Sequence, residues 1–442
     1  MAHLDKYLAR HGNVASCHGH DFVPEERPLK TAVIIPAMGE SASLPNTLAS
    51  LAQNPGPSLE RTLVIVVVNN PPAPDNATVP GEVDGKPQDW VTDNQTTLRG
   101  LEQNAHELPL HLVWIDKSSP GAELPANRGV GLARKIGADT FLSFIQDMMS
   151  KEDRVQALQH IHMLHLDADT RVDHDYLPGA TTALEQTGTG AVCLDFEHAP
   201  AQDADIQRII LAYELFLHYY VAGLDWADSP YAFHTIGSTM ACTASAYVRA
   251  LGMPQRRLGA EDFYFLQKVA KQDGVATSTR TTVHPSPRPS DRVPMGTGPH
   301  VRAQHATAAP LTYTYNPHVF AEIKNLYNVI SEGTTSPAKH ILPHVQQNGL
   351  ANFLQKHGFT DIWEKLQKQH STPAARLKAF HQWFDGLMLY KAIRCLSESS
   401  LPRVPLHEAW DELMQWRGDT NCCGNTTASR LAEWRRTKCR GD

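Results

Sequence analysis

Four short apolar runs, each closed by a polar cluster, constrain this chain more than any other feature. They are Thr31–Pro36 (TAVIIP), Leu63–Val68 (LVIVVV), Leu110–Ile115 and Ile161–Leu166. Short β-branched runs ended by turn residues read as strands. The second run has no polar alternation, as expected of a strand covered on both faces in a parallel sheet. Between the first two runs, Leu44, Leu48 and Leu51 recur at helical spacing. Strands alternating with helices predict an α/β fold, a Rossmann-like, mostly parallel sheet flanked by helices with right-handed crossovers. Ligands of such sheets gather at the carboxyl ends of the strands. The polar clusters stand there: Gly39-Glu40, Asn69-Asn70, Asp116-Lys117 and Asp167-Ala168-Asp169.

Outside these runs, residues 71–92 are rich in Pro, Gly, Asp and Asn and read as a long surface loop. Residues 203–222 place Ile206, Ile209, Ile210, Tyr213, Phe216, Leu217 and Tyr220 on an amphipathic helix. Residues 285–300 contain five prolines and two glycines and are expected to be irregular. From about residue 320 the pattern is helical. Thr372 before Pro373 is a good cap and first-turn pair, followed by the apolar stripe Leu377, Phe380, Phe384, Leu387. The division expected is an N-terminal extension (1–29), a ligand-binding α/β domain (30–320) and a helical C-terminal region (321–442).

With 442 residues, 41% hydrophobic and 20% charged, the composition is that of a globular protein. A formal charge of −7 disfavours nucleic acid as a partner. No stretch reaches the ~18 apolar residues of a membrane span, so no transmembrane segment is expected. The first residues lack the apolar core of a signal peptide. Seven scattered cysteines fit a reducing compartment. A cytoplasmic location is expected, with peripheral contact at a membrane as an extension of it. Cys422 and Cys423, with only Cys439 near, make a poor zinc site.

The candidate chemistry lies on few residues. Asp167 and Asp169 end an apolar strand, where one carboxylate can hold a hard cation and the other a ribose hydroxyl; a surface turn is the alternative. Glu261 and Asp262 open a helix, either as dipole-stabilised charges or as a general base on a hydroxyl. In that position Asp262 is expected to be ionised at neutral pH. His284 follows a strand, and either packs structurally or joins a mixed oxygen–imidazole metal site. Asn127 through Lys135, NRGVGLARK, opens another helix; its Gly-x-Gly allows close approach of an anion, and Arg134 or Lys135 is placed to face a diphosphate. It lacks the third glycine of a dinucleotide fingerprint.

In this order, TAVIIPAMGE, NRGVGLARKIG, LHLDADTRVD, Gly237-Ser238-Thr239 with Leu251-Gly252-Met253, and GAEDFYFLQKV resemble glycosyltransferase family 2 of the GT-A fold. The resemblance covers roughly residues 30–300. It implies a metal-dependent glycosyltransferase that uses a nucleotide-diphosphate-sugar donor, a divalent cation (Mn²⁺ or Mg²⁺) and an unidentified acceptor: a sugar, a lipid-linked species or a small molecule. It implies that Asp169 ligates the metal with His284, that Asp167 holds the ribose or assists the metal, and that Asp262, beside Glu261, is the base of an inverting displacement. Pro36, Glu40, Asn69, Asn127 and Arg134 would line the donor. Asn69-Asn70 stand where the family usually has an acidic residue that reads the base. The rivals are a sugar-nucleotide nucleotidyltransferase, which wants a basic loop after the first strand that PAMGESASLP lacks, a retaining transferase, and a non-catalytic binding protein of the same fold. Residues 285–300, with Arg288 and Arg292, are expected to form a lid over the diphosphate.

Overall fold

The structure is a computed structural model that describes residues 3–19, 29–72, 81–83, 86–255, 259–290, 296–307, 311–345 and 348–438. The chain forms two compact units, Met1–Ile210 with Thr235–Ala308, and Leu211–His234 with Ala309–Gly441. The Ala204–Trp226 helix runs from the first into the second.

The first unit is built on a nine-stranded sheet. In chain order its strands are β1 (His18–Gly19), β2 (Thr31–Ala37), β3 (Thr62–Asn69), β4 (His111–Lys117), β5 (His162–His165), β6 (Arg171–Val172), β7 (Ala191–Phe196), β8 (Met240–Thr243) and β9 (Val275–His284). In space they run β1-β4-β3-β2-β5-β8-β7-β9-β6. β2, β3, β4 and β5 pair in parallel, as do β7 and β9. β8 is antiparallel to both β5 and β7, so six of the nine strands share one direction. All four apolar runs of the sequence are strands, and every residue of β3 is buried.

The strand order reverses beside β2. The chain builds outward through β3 and β4, then returns to place β5 on the other side of β2. Such a reversal leaves a crevice outside the carboxyl ends, since the connections on its two sides leave in opposite directions. The segments emerging on either side are Met38-Gly39-Glu40 and Leu166-Asp167-Ala168-Asp169. Pro36 lies past the last registered β2–β5 pair, Ile34 with His165, where the ladder does not require its missing N–H.

The Val130–Met148 helix lies close on this sheet. A Cβ added at Gly137 would sit 2.7 Å from Ile34 Cγ2 and 3.2 Å from Val67 Cγ2. The same helix anchors the N-terminal helix His3–His11: Lys135 Nζ donates to Tyr7 Oη at 2.6 Å, Tyr7 Oη donates to Asp139 at 2.7 Å, and Lys135 pairs with Asp139 at 2.8 Å.

Two local expectations change. Within 71–92, Gly81–Val83 and Lys86–Gln88 pair as a hairpin, and Trp90 already begins a helix capped by Asp89; residues 73–80 and 84–85 lie outside the described residues. Within 285–300, Thr297–Ala306 is a helix despite its glycine and proline. Pro299 falls in the first turn, where no intrahelical N–H bond is lost. Residues 291–295, Arg292 among them, lie outside the described residues.

The second unit is helical, with a two-stranded pair, Tyr313–Thr314 and Val404–Pro405. Its largest buried side chains include Trp363, Trp410, Phe320 and Phe380. Thr372 caps the Pro373–Trp383 helix by accepting from Ala375 N at 3.2 Å. Trp410 Nε1 donates to the Cys422 carbonyl, and Cys422 and Cys423 are free thiols. Among the described residues no helix is long and apolar enough to cross a membrane.

The helix–sheet gap at Gly137 makes a direct test. Gly137→Ala gains ~1 kcal/mol of helix propensity but forces a methyl group against a fully buried strand residue, at ~1–3 kcal/mol. The expected outcome is a net loss of about 1 kcal/mol, read as a lower denaturation midpoint. An unchanged or higher midpoint would show that the gap has room.

Candidate functional site

The crevice at the strand reversal is lined by carboxylates and two arginines. Arg134, from the second turn of the Val130–Met148 helix, has a side chain only 1% exposed. Its Nη2 pairs with Asp167 Oδ1, and its Nε donates to Glu261 Oε1 at 3.2 Å. It thereby joins the end of β5 to the first turn of the Glu261–Gln272 helix. Gly237 closes over this junction: a Cβ there would lie 2.7 Å from Arg134 Nη2 and 3.7 Å from Asp262 Oδ2. Asp167, Glu261, Asp262 and the Gly237 segment, far apart in sequence, therefore surround one guanidinium.

The second arginine is Arg288, after β9. Its Nη2 pairs with Glu40 Oε1 and lies 3.0 Å from Asp169 Oδ2, while its Nη1 is 3.4 Å from Ser43 Oγ. Glu40 is buried, and the side chains of Arg288 and Asp169 are each 18% exposed. Arg288 thus spans both sides of the strand reversal.

Burial decides the protonation of the acidic pair. Asp262 keeps part of its surface accessible, yet the surrounding protein pushes its pKa up to about 8. Burial is the largest cause, the neighbouring Glu261 adds to it, and a bond from Phe263 N and the Arg134 charge oppose it. Glu261 is raised as well, by burial against the pull of Arg134. The expectation that Asp262 is ionised at neutral pH is therefore corrected. The helix terminus favours the charge by at most ~2 kcal/mol, and desolvation beside a second carboxyl outweighs that here. His165, fully buried on β5, is held well below its ordinary pKa by burial and by Arg134, so it adds no second cation.

The remaining candidates divide. Arg134 and Lys135 do not face open solvent as diphosphate ligands: both are buried, Arg134 between carboxylates and Lys135 on Tyr7 and Asp139. Within the Gly-x-Gly motif, Gly131 serves packing. A Cβ at Gly131 would strike the Pro254 carbonyl and stand 3.0 Å from Glu261 Cβ. Asn127 is exposed in the turn before the helix. Asn69 is buried and donates to the carbonyls of Ala37 and Val67 at 3.2 and 3.1 Å, tying β2 to β3. His284 is engaged by other partners: its Nε2 meets Asp173 Oδ1 at 3.0 Å and its Nδ1 meets the Glu197 carbonyl at 3.1 Å. With both nitrogens engaged, the imidazole does not join Asp169 around one ion in this conformation.

The sequence reading missed Asn94 and Asp93. Asn94 is fully buried; it accepts from Gly39 N at 2.9 Å and donates to Asn70 Oδ1 at 2.8 Å. Asp93 accepts from Ser41 N and Oγ at 2.9 and 2.7 Å. Together they shape the turn in which Gly39 takes a left-handed φ of 67°. Both sit inside an ordinary helix, where spacing gives no sign of a partner far away.

Among the described residues no three His, Cys, Asp or Glu side chains gather tightly enough to hold a metal by themselves. Asp167 and Asp169 are oxygen donors of the type that a hard divalent cation takes, one or two at a time, beside water and substrate phosphate.

No family model and no curated protein matches the sequence. Among solved structures, TarS 1–349 of S. aureus in complex with UDP-GlcNAc is 13% identical, covers 93% of this chain and 91% of its own, and has a TM-score of 0.37. The mannosyltransferase PcManGT of Pyrobaculum calidifontis, in complex with GDP-Man and Mn²⁺, is 17% identical with coverages of 97% and 91% and a TM-score of 0.34. At TM-scores this low the likeness assigns neither fold nor activity.

The raised Asp262 pKa has a consequence for stability. Between about pH 4 and about 8 the folded chain holds a proton on Asp262 that the unfolded chain has released. Stability through this group is full at the acid end and falls as pH rises through that window. Asp262→Asn removes the effect. Its melting temperature relative to wild type should climb as pH is raised across the window. A difference that stays flat with pH would show that Asp262 titrates normally.

Proposed function

We propose that the chain is a GT-A-type glycosyltransferase resembling family 2, moving a sugar from a nucleotide-diphosphate-sugar donor to a hydroxyl acceptor with inversion. The observation that carries this reading is the Arg134 bridge. It joins Asp167, at the carboxyl end of β5, to Glu261, the neighbour of Asp262. Such a transfer needs a site for a leaving diphosphate next to a base for the incoming hydroxyl, and these two motifs supply the residue types for both.

In this reading the donor lies over the strand reversal. The Pro36–Glu40 turn and the Asn69 region frame the nucleotide, Asn127 borders it, and Asp167 orients the ribose. Asp169 would hold a divalent cation, Mn²⁺ or Mg²⁺, together with the donor's phosphates. Such an ion, when bound, supplies positive charge at the diphosphate as its bond to the sugar breaks. Asp262 takes the acceptor's proton as the hydroxyl attacks the face of the sugar opposite the leaving group. Glu261 and Arg134 position it: Arg134 fixes the Glu261 carboxylate, and Glu261 raises the proton affinity of Asp262. A base with a pKa near the working pH combines an available ionised fraction with a strong pull on the proton.

The donor test is a thermal-shift series with UDP, GDP and other nucleoside diphosphates, each with and without Mn²⁺. Binding to the folded state alone raises the melting temperature; no shift with any of them would end this reading. For the base, turnover should climb with pH and level off above about 8, the Asp262 pKa. Asp262→Asn should keep donor binding while transfer slows by about 10²–10⁴-fold. Transfer within about twofold of wild type, well short of a general-base effect, or a product of retained configuration, would remove Asp262 from that role.

A further inference from the structure

Arg288 occupies the carboxylate that the donor's metal would use. We infer that Arg288 is an exchangeable counter-ion for Asp169: it competes with the divalent cation, makes metal binding depend on the donor, and on release offers its guanidinium to the donor's diphosphate. This rests on the reading of Asp169 as the donor-site metal carboxylate.

Three features carry the inference. First, the contact is direct, Arg288 Nη2 standing 3.0 Å from Asp169 Oδ2. A cation entering at that oxygen meets a guanidinium within ion-pair distance, so the two positive charges repel and compete for it. Second, Arg288 has another anchor. It pairs with Glu40, whose side chain is 4% exposed, and reaches Ser43 Oγ. Among the described residues, the Asp169 pair is the more accessible of the two ion pairs that Arg288 makes, so it can open while the Glu40 pair holds. Third, the anchor lies on the turn after β2 and Asp169 lies beyond β5, so a freed guanidinium remains over the strand reversal, where the donor's phosphates are placed. A planar guanidinium suits the bidentate recognition of phosphate oxygens.

The exchange balances as an ion-pair swap with no covalent step. Asp169 passes from guanidinium to metal, and the guanidinium passes from carboxylate to phosphate. The donor's phosphates contribute ligands to the metal and a partner to Arg288, so both halves are favoured only when donor and metal are present together. A site built this way discriminates against the bare ion.

The test measures Mn²⁺ binding to the unliganded protein, by the loss of the free-ion paramagnetic resonance signal, and repeats it with UDP and with GDP. Wild type should bind Mn²⁺ weakly alone and more tightly with the preferred nucleotide. Arg288→Gln should bind Mn²⁺ without nucleotide roughly tenfold more tightly than wild type, within the usual range for coupled sites. It should also lose most of the nucleotide's enhancement. Arg288→Lys keeps a competing charge and should stay near wild type, and Asp169→Asn should abolish binding in either background. Circular dichroism checks that each variant is folded. Unchanged or weaker Mn²⁺ affinity in folded Arg288→Gln overturns the inference while leaving the donor-site reading in place. If folding fails in Arg288→Gln, the comparison of wild type with Arg288→Lys in the presence and absence of nucleotide decides: strong binding of the bare ion by wild type overturns the exchange. Absence of Mn²⁺ binding in wild type with every nucleotide overturns the metal reading of Asp169 and the inference with it.

Discussion

The buried guanidinium of Arg134 is the interaction on which the site depends. It lies between Asp167 and Glu261, at 1% exposure, and it brings a strand end and a helix start into one electrostatic unit. For the Glu261 pair, buried on both sides, removing one partner typically destabilises by ~3–5 kcal/mol, because the charge left behind has lost its water without keeping a counter-ion; Asp167, 40% exposed, keeps part of its water and counts for less. The same charge also sets the chemistry around it. It restrains the rise in the Glu261 pKa and opposes part of the rise at Asp262. Burial holds the His165 pKa well below its ordinary value, and the Arg134 charge adds to that. The positions of these groups follow from that one side chain, while their protonation is set first by burial, which its charge counteracts at the two carboxyls.

That side chain is placed by packing. The Val130–Met148 helix approaches β2 and β3 at Gly137, and the turn before Glu261 approaches the helix at Gly131. Both glycines stand where a methyl group would meet backbone or buried side chain. Gly131, the second glycine of the spacing that resembles an anion-binding motif, therefore works by bringing protein against protein. Arg134 lies between the two close approaches and inherits their rigidity.

The strands were legible in the sequence because a strand buried on both faces leaves an unbroken apolar run, as at Leu63–Val68. The positions of Glu40, Asp167 and Asp169 at carboxyl ends followed from the same pattern. Helix 297–306 was hidden because Pro299 and Gly298 look like breakers until the first-turn position is known. The partners of Arg134 and Arg288 were not legible. Arg134 meets Glu261 across 127 positions and Arg288 meets Glu40 across 248, and spacing along the chain carries no record of such pairs. The protonation of Asp262 was misjudged for a related reason. A helix start is visible in sequence, whereas the second carboxyl and the burial that oppose it are properties of the fold. The roles of Asn94 and His284 were equally beyond reach, since each depends on which backbone carbonyl or side chain lies opposite.

Lys135 follows Arg134 directly, and the two point to different partners. Arg134 serves the crevice; Lys135 is locked to Asp139 and Tyr7, and Asp139 also accepts from Asn13 N and Tyr247 Oη. The His3–His11 helix is thus fastened to the residue next to the one that organises the site. For anyone handling this protein, the amino end is a poor place for a purification handle or a trimming site. A change that lifts Tyr7 away would strain the same helical turn from which Arg134 departs, so the His3–His11 helix behaves as part of the frame that holds the crevice.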